Sequence, residues 1–496
     1  MIYTSTRDKS IAQSSAAAIV SGISKDGGLY VPTEIPKISK EFLEELVPMS
    51  YIERAKKVLS LYLTDFTDEE IAYCVEGAYK EGKFSSEKVA PLVTYNNAEI
   101  LELWRGPTCA FKDMALQLLP YLLTVSVKKT VSDKTIVILV ATSGDTGKAA
   151  LEGFKDVPGT KIMVFYPNDG VSAMQKFQMA TQEGENVCVC AIEGNFDDAQ
   201  NGVKKIFTDP GVAEKLEKNN MMFSSANSIN WGRLVPQIVY YVSAYCDLIS
   251  KGKIKNGEKM NVVVPTGNFG NILAAYYAKM MGVPVGKLIC ASNSNNVLTD
   301  FLETGHYNRN RTFYTTVSPS MDILISSNLE RLLYHITQSD EKVKGLMEDL
   351  SLNGEYTLDS ETFGKISSLF FGGCCDDNDT KKTIEETYKK LGYLLDTHTA
   401  VAVKVYNDYV DQSGDKTPTV IASTANPYKF SAAVLNAVCD KNIDGLDEFE
   451  QVEELISVTG EPCPPQLSQL KNKSARFTEC CEKENMINMV YKMLNI

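Results

Sequence analysis

Lys112 is the candidate nucleophile of this chain. It lies between Phe111 and Asp113, after a Gly106-Pro107 turn and at the head of an apolar run. The turn should end one element and the run has helical length, so we expect Lys112 in the first turn of a helix. Partial burial near the positive end of a helix lowers the pKa of a lysine, which lets its amine attack an aldehyde. This stretch alone fits an ordinary exposed lysine better.

Two glycine-containing loops follow, each predicted between a strand and a helix. Residues 142–147 read Thr-Ser-Gly-Asp-Thr-Gly, and residues 266–271 read Thr-Gly-Asn-Phe-Gly-Asn. Glycines there let successive backbone N–H groups turn toward one anion, assisted by the helix dipole. The 266–271 loop is neither a Walker loop nor GxGxxG, so it does not indicate nucleotide binding, and a structural turn is equally compatible with it. The hydroxyls of 142–147 suit a carboxylate or phosphate ester, or simply cap the helix.

The segment 225–233 contains a possible anion-binding arginine. It reads Ser-Ala-Asn-Ser-Ile-Asn-Trp-Gly-Arg and opens a predicted helix. The guanidinium of Arg233 can bind two oxygens of a phosphate ester in a fork. A lone arginine at a helix start is more commonly a surface residue, so the segment does not decide the matter by itself.

Together with Leu-Glu-Leu-Trp-Arg-Gly-Pro-Thr-Cys-Ala-Phe-Lys-Asp at 101–113, these segments closely resemble the threonine synthase family of pyridoxal-phosphate enzymes. The resemblance runs nearly the whole length and includes Asp-Gly-Gly-Leu-Tyr-Val-Pro at 26–32, a feature of the longer microbial and fungal members. It implies that Lys112 holds pyridoxal 5'-phosphate as a Schiff base. Asp145 would lie beside the ring hydroxyl of the cofactor, and Thr424 would face its pyridine nitrogen. The phosphate of the cofactor would be bound by Gly267, Asn268, Phe269, Gly270 and Asn271.

The same resemblance implies a set of substrate contacts. The loop at 142–147 would touch the substrate, while the 225–233 segment would grip the phosphate of O-phosphohomoserine. The implied substrate-binding residues are Thr142, Ser143, Thr146, Asn227, Ser228 and Arg233.

The chain departs from the family at several places. Residues 422–430 read Ala-Ser-Thr-Ala-Asn-Pro-Tyr-Lys-Phe, so Asn426 stands where the family usually has His and Tyr428 where it has Ala. Thr397 stands where the family often has Pro. We expect the neighbouring His398 to cap a helix or pack, because the sequence offers no nucleophile to partner it.

The implied activity is that of a threonine synthase, which converts O-phospho-L-homoserine and water to L-threonine and phosphate. One alternative is a related phospho-lyase that eliminates phosphate and ends at a 2-keto acid, since it would share every loop. Another is a non-catalytic homologue, which the joint presence of Lys112, both loops and Arg233 disfavours.

The composition excludes several other classes. The formal net charge of −13 argues against a nucleic-acid surface, because phosphate contacts need clustered Lys and Arg. No apolar run has the length of a membrane span, and the first residues lack the apolar core of a secretory signal. The twelve cysteines show no CxxC or Cys/His ligand spacing, so we expect reduced thiols and no metal site. We therefore expect a cytoplasmic enzyme with a small-molecule substrate, a monomer or homodimer without nucleic-acid or membrane partners.

Alternating Val/Ile-rich runs and helical patterns predict an α/β fold with parallel sheets. The resemblance specifies two parallel-sheet α/β domains of the fold-type II pyridoxal-phosphate enzymes, with a helical N-terminal cap. We expect the cap at 1–98, and a large cofactor-binding domain at 99–140 and 222–440 with a helical insertion at about 300–395. A small mobile domain is expected at 141–221 and a C-terminal extension at 441–496. Residues 372–379 are predicted as a polar turn.

Overall fold

The computed structural model describes residues 1–132, 134–142, 144–168, 171–439, 443 and 445–496, without the side chains of 196 and 197. It has the predicted α/β fold with parallel sheets. The larger sheet has six strands, all parallel except for the antiparallel edge strand Leu92–Tyr95. In spatial order its strands are Phe370–Cys374, Val285–Ser292, Met260–Pro265, Thr419–Ser423, Ala98–Glu102 and Leu92–Tyr95.

The second sheet has five strands, all parallel. Its central strands are continuous runs of Val, Ile, Leu and Met because helices cover both faces. In spatial order its strands are Cys480–Glu482, Val187–Glu193, Thr160–Pro167, Thr135–Ala141 and Met221–Ser224. The helices of this domain are Asp145–Phe154, Ala173–Ala180, Phe196–Thr208, Pro210–Lys218 and Met486–Leu494.

Helices surround the larger sheet and form the N-terminal region. The helix Trp231–Ser250 is buried over most of its length and packs against Tyr51–Tyr62 and Gly270–Met281. The N-terminal helices are Ser15–Ser21, Lys40–Leu46, Tyr51–Tyr62 and Asp68–Tyr79, beside the strand pair Tyr3–Ser5 and Tyr30–Pro32. The others are Asp113–Leu116, Leu119–Thr130, Trp231–Ser250, Gly270–Met281, Val297–Thr304, Leu329–Thr337, Asp340–Leu352, Ser360–Leu369, Asp377–Leu391, Thr397–Ser413, Ser431–Val438, Glu448–Thr459 and Pro465–Ser468, with a strand pair at His306–Asn308 and Glu355–Thr357.

The boundaries predicted between the large and small domains misplaced two strands, because residues 222–224 of the strand Met221–Ser224 were assigned to the large domain as well. Thr135–Ala141 was assigned to the large domain, but it pairs with Thr160–Pro167 and Met221–Ser224 in the five-stranded sheet. An apolar β-branched run shows that a strand is buried but does not show which sheet it joins. The C-terminal extension also contributes to this sheet, because Cys480–Glu482 pairs with Val187–Glu193.

The predicted polar turn at 372–379 was wrong except at residues 375 and 376, because residues 377–379 begin the helix Asp377–Leu391 and residues 372–374 belong to a strand. Phe370–Cys374 is an edge strand parallel to Val285–Ser292. The two glycines allow close packing rather than a turn, since a Cβ atom on Gly373 would lie 2.7 Å from a methyl group of Val405. Among the described residues, no helix is both long and apolar enough to cross a membrane.

Gly153 sets the contact between the small domain and the short helix Asp113–Leu116 that follows Lys112. A Cβ atom on Gly153 would lie 1.9 Å from the carbonyl oxygen of Leu116. We therefore expect Gly153→Ala to force the two helices apart, at a cost of about 1–3 kcal/mol in unfolding free energy. Thermal unfolding should show a Tm lowered by several degrees.

Gly345→Ala is the matched control. Gly345 also lies inside a helix, and no described atom is within 4 Å of the position its Cβ would take. That substitution should raise stability by about 0.5–1 kcal/mol. Equal Tm values for the two variants would contradict the packing argument.

Candidate active site

The candidate site lies between the two sheets, where the loops after several parallel strands converge. The 142–147 and 225–230 loops follow strands of the small domain, and the 266–270 and 424–430 segments follow strands of the large domain. The carboxyl ends of parallel strands are where ligands bind in open α/β sheets.

Lys112 directly precedes the short helix Asp113–Leu116, near the predicted position at a helix start. The turn before it is fixed by Asp113, whose carboxylate accepts hydrogen bonds from the backbone N–H and hydroxyl of Thr108 at 2.8 and 2.9 Å. The Lys112 side chain is 11% exposed. Its amine nitrogen lies 3.9 Å from Oδ2 of Asp145 and 3.5 Å from Oγ of Ser320.

The electrostatic surroundings make the Lys112 amine more reactive than an ordinary lysine. Burial lowers its pKa to about 8, and the positive charges of Arg233 and Lys429 lower it while Asp145 opposes the shift. A lysine with this pKa is still mostly protonated near physiological pH, but its neutral, nucleophilic fraction is far larger than that of an ordinary lysine.

Asp145 is the first residue of the small-domain helix Asp145–Phe154, and it is paired across the site. Its Oδ1 lies 2.7 Å from the ammonium of Lys429, which is fully buried. Gln175 donates a further hydrogen bond to Oδ1 at 2.9 Å. Burial alone would raise the pKa of Asp145, but Lys429 and Lys112 hold that pKa well below its usual range. Asp145 is therefore a carboxylate beside the Lys112 amine.

The 266–270 loop joins the strand Met260–Pro265 to the start of the helix Gly270–Met281, and we call it the anion cup after its predicted role. The residue with left-handed backbone is Phe269, at φ 62°, and its side chain packs against Phe370. Phe269 can therefore offer a ligand only its backbone. Asn268 is exposed, and its carbonyl accepts from the backbone and side chain of Asn328.

Asn271 supplies a buried donor at the same helix start. Its Oδ1 accepts hydrogen bonds from the hydroxyls of Tyr240 and Tyr241, which fixes the orientation of the amide. Its Nδ2 is buried and has no hydrogen-bond partner among the described residues. An unpaired buried N–H group is costly and suits an anionic ligand.

Arg233 is buried, with 6% exposure, and is not the surface residue that a lone arginine usually is. It donates to the carbonyl of Ala226 at 2.8 Å, and no carboxylate in the described part of the chain pairs with it. Burial lowers its pKa to about 10, so it remains charged at neutral pH. A buried, unneutralised guanidinium is a strong binding group for a phosphate ester.

The segment before Arg233 connects the N-terminal cap to the site. Asn230 donates to the carbonyl of Ile19 at 3.0 Å and to that of Ser225 at 2.7 Å. Ser228 is partly exposed and Asn227 exposed, as side chains that meet a ligand would be. The carbonyl of Ser228 accepts a hydrogen bond from the side-chain amide of Asn328. The same amide also donates to the carbonyl of Asn268 in the anion cup.

The remaining predicted residues differ in how free their side chains are. Thr424 is buried, and its backbone carbonyl accepts from Phe111 at 2.8 Å, while no described residue hydrogen-bonds its hydroxyl. Thr142 uses its hydroxyl to accept from the N–H groups of Gly144 and Gly147, so it caps the loop itself. Thr146 is partly exposed, and Ser143 lies outside the described residues.

Sequence reasoning assigned no role to three polar side chains of this site. Lys429 lies within a quoted motif, and the signal was a lysine inside an otherwise apolar stretch after a buried strand. Ser320 and Asn328 come from the insertion, and nothing in their local sequence connects them to Lys112 or to the cup. Their positions follow from tertiary packing.

These residues fit pyridoxal phosphate. Lys112 has an amine of lowered pKa, Asn271 a free buried donor, Thr424 a free hydroxyl and Arg233 a free positive charge. A side chain at Gly267 would collide with the carbonyl oxygen of Ser320, so this position of the loop needs glycine. A cofactor with one aldehyde, one ring nitrogen and one phosphate matches this donor set.

Gly267 and Gly270 can be distinguished experimentally. A Cβ atom on Gly267 would lie 2.6 Å from the carbonyl oxygen of Ser320, whereas the nearest described atom to one on Gly270 is 3.4 Å away. Neither glycine has a left-handed backbone, so steric contact alone decides. We expect Gly267→Ala to weaken cofactor binding at least tenfold, measured by titration of the apo protein, and Gly270→Ala to weaken it less. The reverse order would show that the cup is not formed as described.

Three protein families and several proteins of known name are similar to this chain. Three families match the chain: "Threonine synthase N terminus" over residues 2–79, "Pyridoxal-phosphate dependent enzyme" over 90–356 and "Threonine synthase, C-terminal" over 399–490. The human protein "Threonine synthase-like 1" is 43% identical over 440 residues, covering 86% of this chain and 58% of the human protein. The chain thus spans less than two thirds of that relative's length.

Proteins of matching length give the same result. The threonine synthase of Pseudomonas aeruginosa is 38% identical over 88% of this chain and 90% of its own. The crystal structure of PLP-bound threonine synthase from Brucella melitensis superposes with a TM-score of 0.88 at 37% identity, covering 100% of this chain and 99% of the other. The chain therefore belongs to the threonine synthase family of pyridoxal-phosphate-dependent enzymes.

Proposed function

We propose that this protein is a threonine synthase that converts O-phospho-L-homoserine and water to L-threonine and phosphate. The observation that carries the proposal is the buried guanidinium of Arg233, which has no carboxylate partner among the described residues and is close enough to lower the pKa of Lys112. A cation separate from the anion cup suits a substrate that carries an anionic group of its own, and the fork of a guanidinium matches a phosphate ester. Relatives named threonine synthase support the same activity.

The proposed cofactor contacts divide between the two domains. Lys112 would hold pyridoxal phosphate through its aldehyde, and the N–H groups of 267–271 with Nδ2 of Asn271 would bind its phosphate. Thr424 would hydrogen-bond the ring nitrogen, and Asp145 would lie beside the ring hydroxyl. When bound, the cofactor supplies an aldehyde for the substrate amine and a ring that accepts the electrons of a carbanion.

The other side chains would bind the substrate and move protons. Arg233, with Asn227 and Ser228, would bind the substrate phosphate, and the 142–147 loop with Thr142, Ser143 and Thr146 would bind the opposite end. Once the substrate amine displaces it, Lys112 would take protons from the α and β carbons and return them. Phosphate leaves from the γ carbon and water adds at the β carbon. Arg233 would stabilise the charge that grows on the leaving phosphate.

We further propose that the enzyme acts in the cytoplasm as a monomer or homodimer. All twelve cysteines are free thiols, which supports a reducing compartment. The five-stranded domain carries the loop of Asp145, so its movement would open and close the site.

A phospho-lyase that forms a 2-keto acid is the second candidate. The human protein named "Threonine synthase-like 1" is 43% identical to this chain, against 38% for the threonine synthase of Pseudomonas aeruginosa, and its name states a likeness to threonine synthase rather than the activity. Both activities would use the same cofactor, cation and lysine. Product analysis separates them.

The deciding experiment incubates the purified holoenzyme with O-phospho-L-homoserine and measures phosphate, L-threonine and 2-oxobutanoate together. Threonine equal to the phosphate released supports the proposal. Phosphate accompanied mainly by 2-oxobutanoate assigns the protein to the second candidate. Release of none of the three would identify a non-catalytic homologue.

Arg233→Ala should reduce kcat/KM for O-phosphohomoserine by about 10²-fold or more. A buried guanidinium–phosphate contact is worth roughly 2–5 kcal/mol when truncated, by analogy with buried charge pairs at interfaces. Arg233→Lys should recover part of the loss, because a point charge cannot reproduce the fork. The absorption of the bound cofactor should be unchanged. An Ala variant within twofold of the parent would remove phosphohomoserine as the favoured substrate.

The pH dependence of cofactor attachment should report the lowered pKa of Lys112. Below its pKa of about 8 the amine is protonated and unreactive, so the attachment rate should rise with pH and level off above a midpoint near 8. Borohydride trapping at successive times measures the rate of cofactor attachment, and peptide mass mapping identifies the lysine that carries the cofactor. Lys148 is an internal control, because burial lowers its pKa too but it pairs with Glu152. Label at Lys148, or in Lys112→Ala, would contradict the assignment.

A further inference from the structure

The segment 316–322 forms a wall of the site that the sequence did not indicate, and it is rigid. Asp322 accepts hydrogen bonds from the backbone N–H and hydroxyl of Thr316 at 3.0 and 2.7 Å. Asn293 donates to Oδ1 of Asp322 at 2.7 Å and to Oγ of Ser318 at 3.0 Å. The backbone around Ser320 is thus fixed from within the segment.

Ser320 provides the nearest hydrogen-bonding atom to the Lys112 amine. Its Oγ lies 3.5 Å from Nζ of Lys112, closer than the carboxylate of Asp145 at 3.9 Å. No other described side chain hydrogen-bonds this amine. The carbonyl of Ser320 packs against Gly267 in the anion cup. Ser320 therefore touches both the nucleophile and the loop proposed for the cofactor's phosphate.

His398 holds the backbone of Ser320 in place. The backbone N–H of Ser320 donates to Nε2 of His398 at 3.1 Å, so this ring nitrogen must be an acceptor. The other ring nitrogen, Nδ1, lies 3.1 Å from Oδ1 of Asp396 and carries the hydrogen. Asp396 is itself fixed, since it caps the helix Thr397–Ser413 by accepting from the backbone of His398 at 2.9 Å.

This arrangement excludes direct catalysis by His398. Its side chain is buried, both ring nitrogens are engaged, and its ring packs against Phe430 at 4.8 Å. Asp396, and not His398, caps the helix Thr397–Ser413. His398 packs in the interior and accepts the hydrogen bond from the backbone N–H of Ser320.

Resting on the proposed function, we propose that Ser320 orients the free Lys112 amine during proton transfer, and that His398 is the positioning residue for Ser320. When the substrate has displaced Lys112, the neutral amine of Lys112 donates one hydrogen to Oγ of Ser320. The lone pair then faces the substrate. It takes the α hydrogen as a proton: the C–H bond breaks, an N–H bond forms, and the electron pair stays on the substrate carbon for the cofactor to accept.

Ser320→Ala in the holoenzyme should lower kcat for threonine formation about tenfold, the rate equivalent of one hydrogen bond. KM and cofactor affinity should stay within twofold, because neither the anion cup nor Arg233 loses a contact. The deuterium isotope effect with α-deuterated substrate should increase, since proton transfer becomes slower. Ser320→Thr keeps the hydroxyl and should restore most of the rate.

His398→Leu should act through the same contact. It removes the acceptor for the N–H of Ser320, so its kcat should fall in parallel, and His398→Gln, which offers an amide oxygen, should recover part. In the double variant Ser320→Ala with His398→Leu, kcat should be no lower than in Ser320→Ala alone. If His398→Leu does not fold, His398→Gln takes its place in the double variant.

Exchange of the α hydrogen in D2O separates this proposal from the proposed function. The probes are L-threonine, L-serine and the phosphonate analogue of phosphohomoserine, whose bridging methylene prevents elimination. A parent that exchanges the α hydrogen but forms no threonine would refute the function, and the comparison with Ser320→Ala would still stand. Exchange in Ser320→Ala within twofold of the parent would overturn the role of Ser320. Additive losses in the double variant would overturn the role of His398.

Discussion

The buried ion pair between Asp145 and Lys429 sets the distance between the two domains at the site. Asp145 begins a helix of the small domain, and Lys429 follows a strand of the large domain. Neither charge can be buried alone without a large desolvation penalty, so each requires the other at the observed 2.7 Å. The Lys112 amine nitrogen lies 3.9 Å from Oδ2, the other oxygen of the same carboxylate. The contact between the two domains and the surroundings of the Lys112 amine thus depend on the same carboxylate, that of Asp145.

Around this pair, several side chains with an unused donor or charge lie among neighbours that are held by hydrogen bonds. Asn271, Thr424 and Arg233 each keep a donor or charge unused by the described residues. Neighbouring residues use their donors for hydrogen bonds within the protein. Arg331, for example, donates to the carbonyls of Tyr30 and Ile229 and to the side chain of Asn328. A fixed frame with a few open donors is what preorganised binding of a charged ligand requires.

Local patterns predicted the parts of the site that local physics determines. Lys112 at a helix start, the cup at 266–271 and the opening of a helix near Arg233 follow from strand, glycine and helix signals in one window. Contacts between distant residues were not accessible in this way. Lys112 meets Ser320 208 positions away, and Thr108 meets Lys429 321 positions away. The sheet to which Thr135–Ala141 belongs was predicted wrongly for the same reason, because the sequence pattern of this strand would be the same in either sheet. The strand at Phe370–Cys374 was missed because paired glycines usually signal a turn.

The pairing of Cys480–Glu482 with Val187–Glu193 has a consequence for the order of events during synthesis. The other strands of that sheet all lie within 135–224, whereas this strand and the helix Met486–Leu494 emerge from the ribosome much later. Until then the nascent domain exposes the open edge of the strand Val187–Glu193. It also exposes the apolar face that the helix Met486–Leu494 covers with side chains such as Val490. Vectorial folding from the N-terminus therefore cannot complete this domain. The domain is completed only after these segments have been made, and a nascent chain stalled before residue 480 keeps the strand edge and the apolar face exposed.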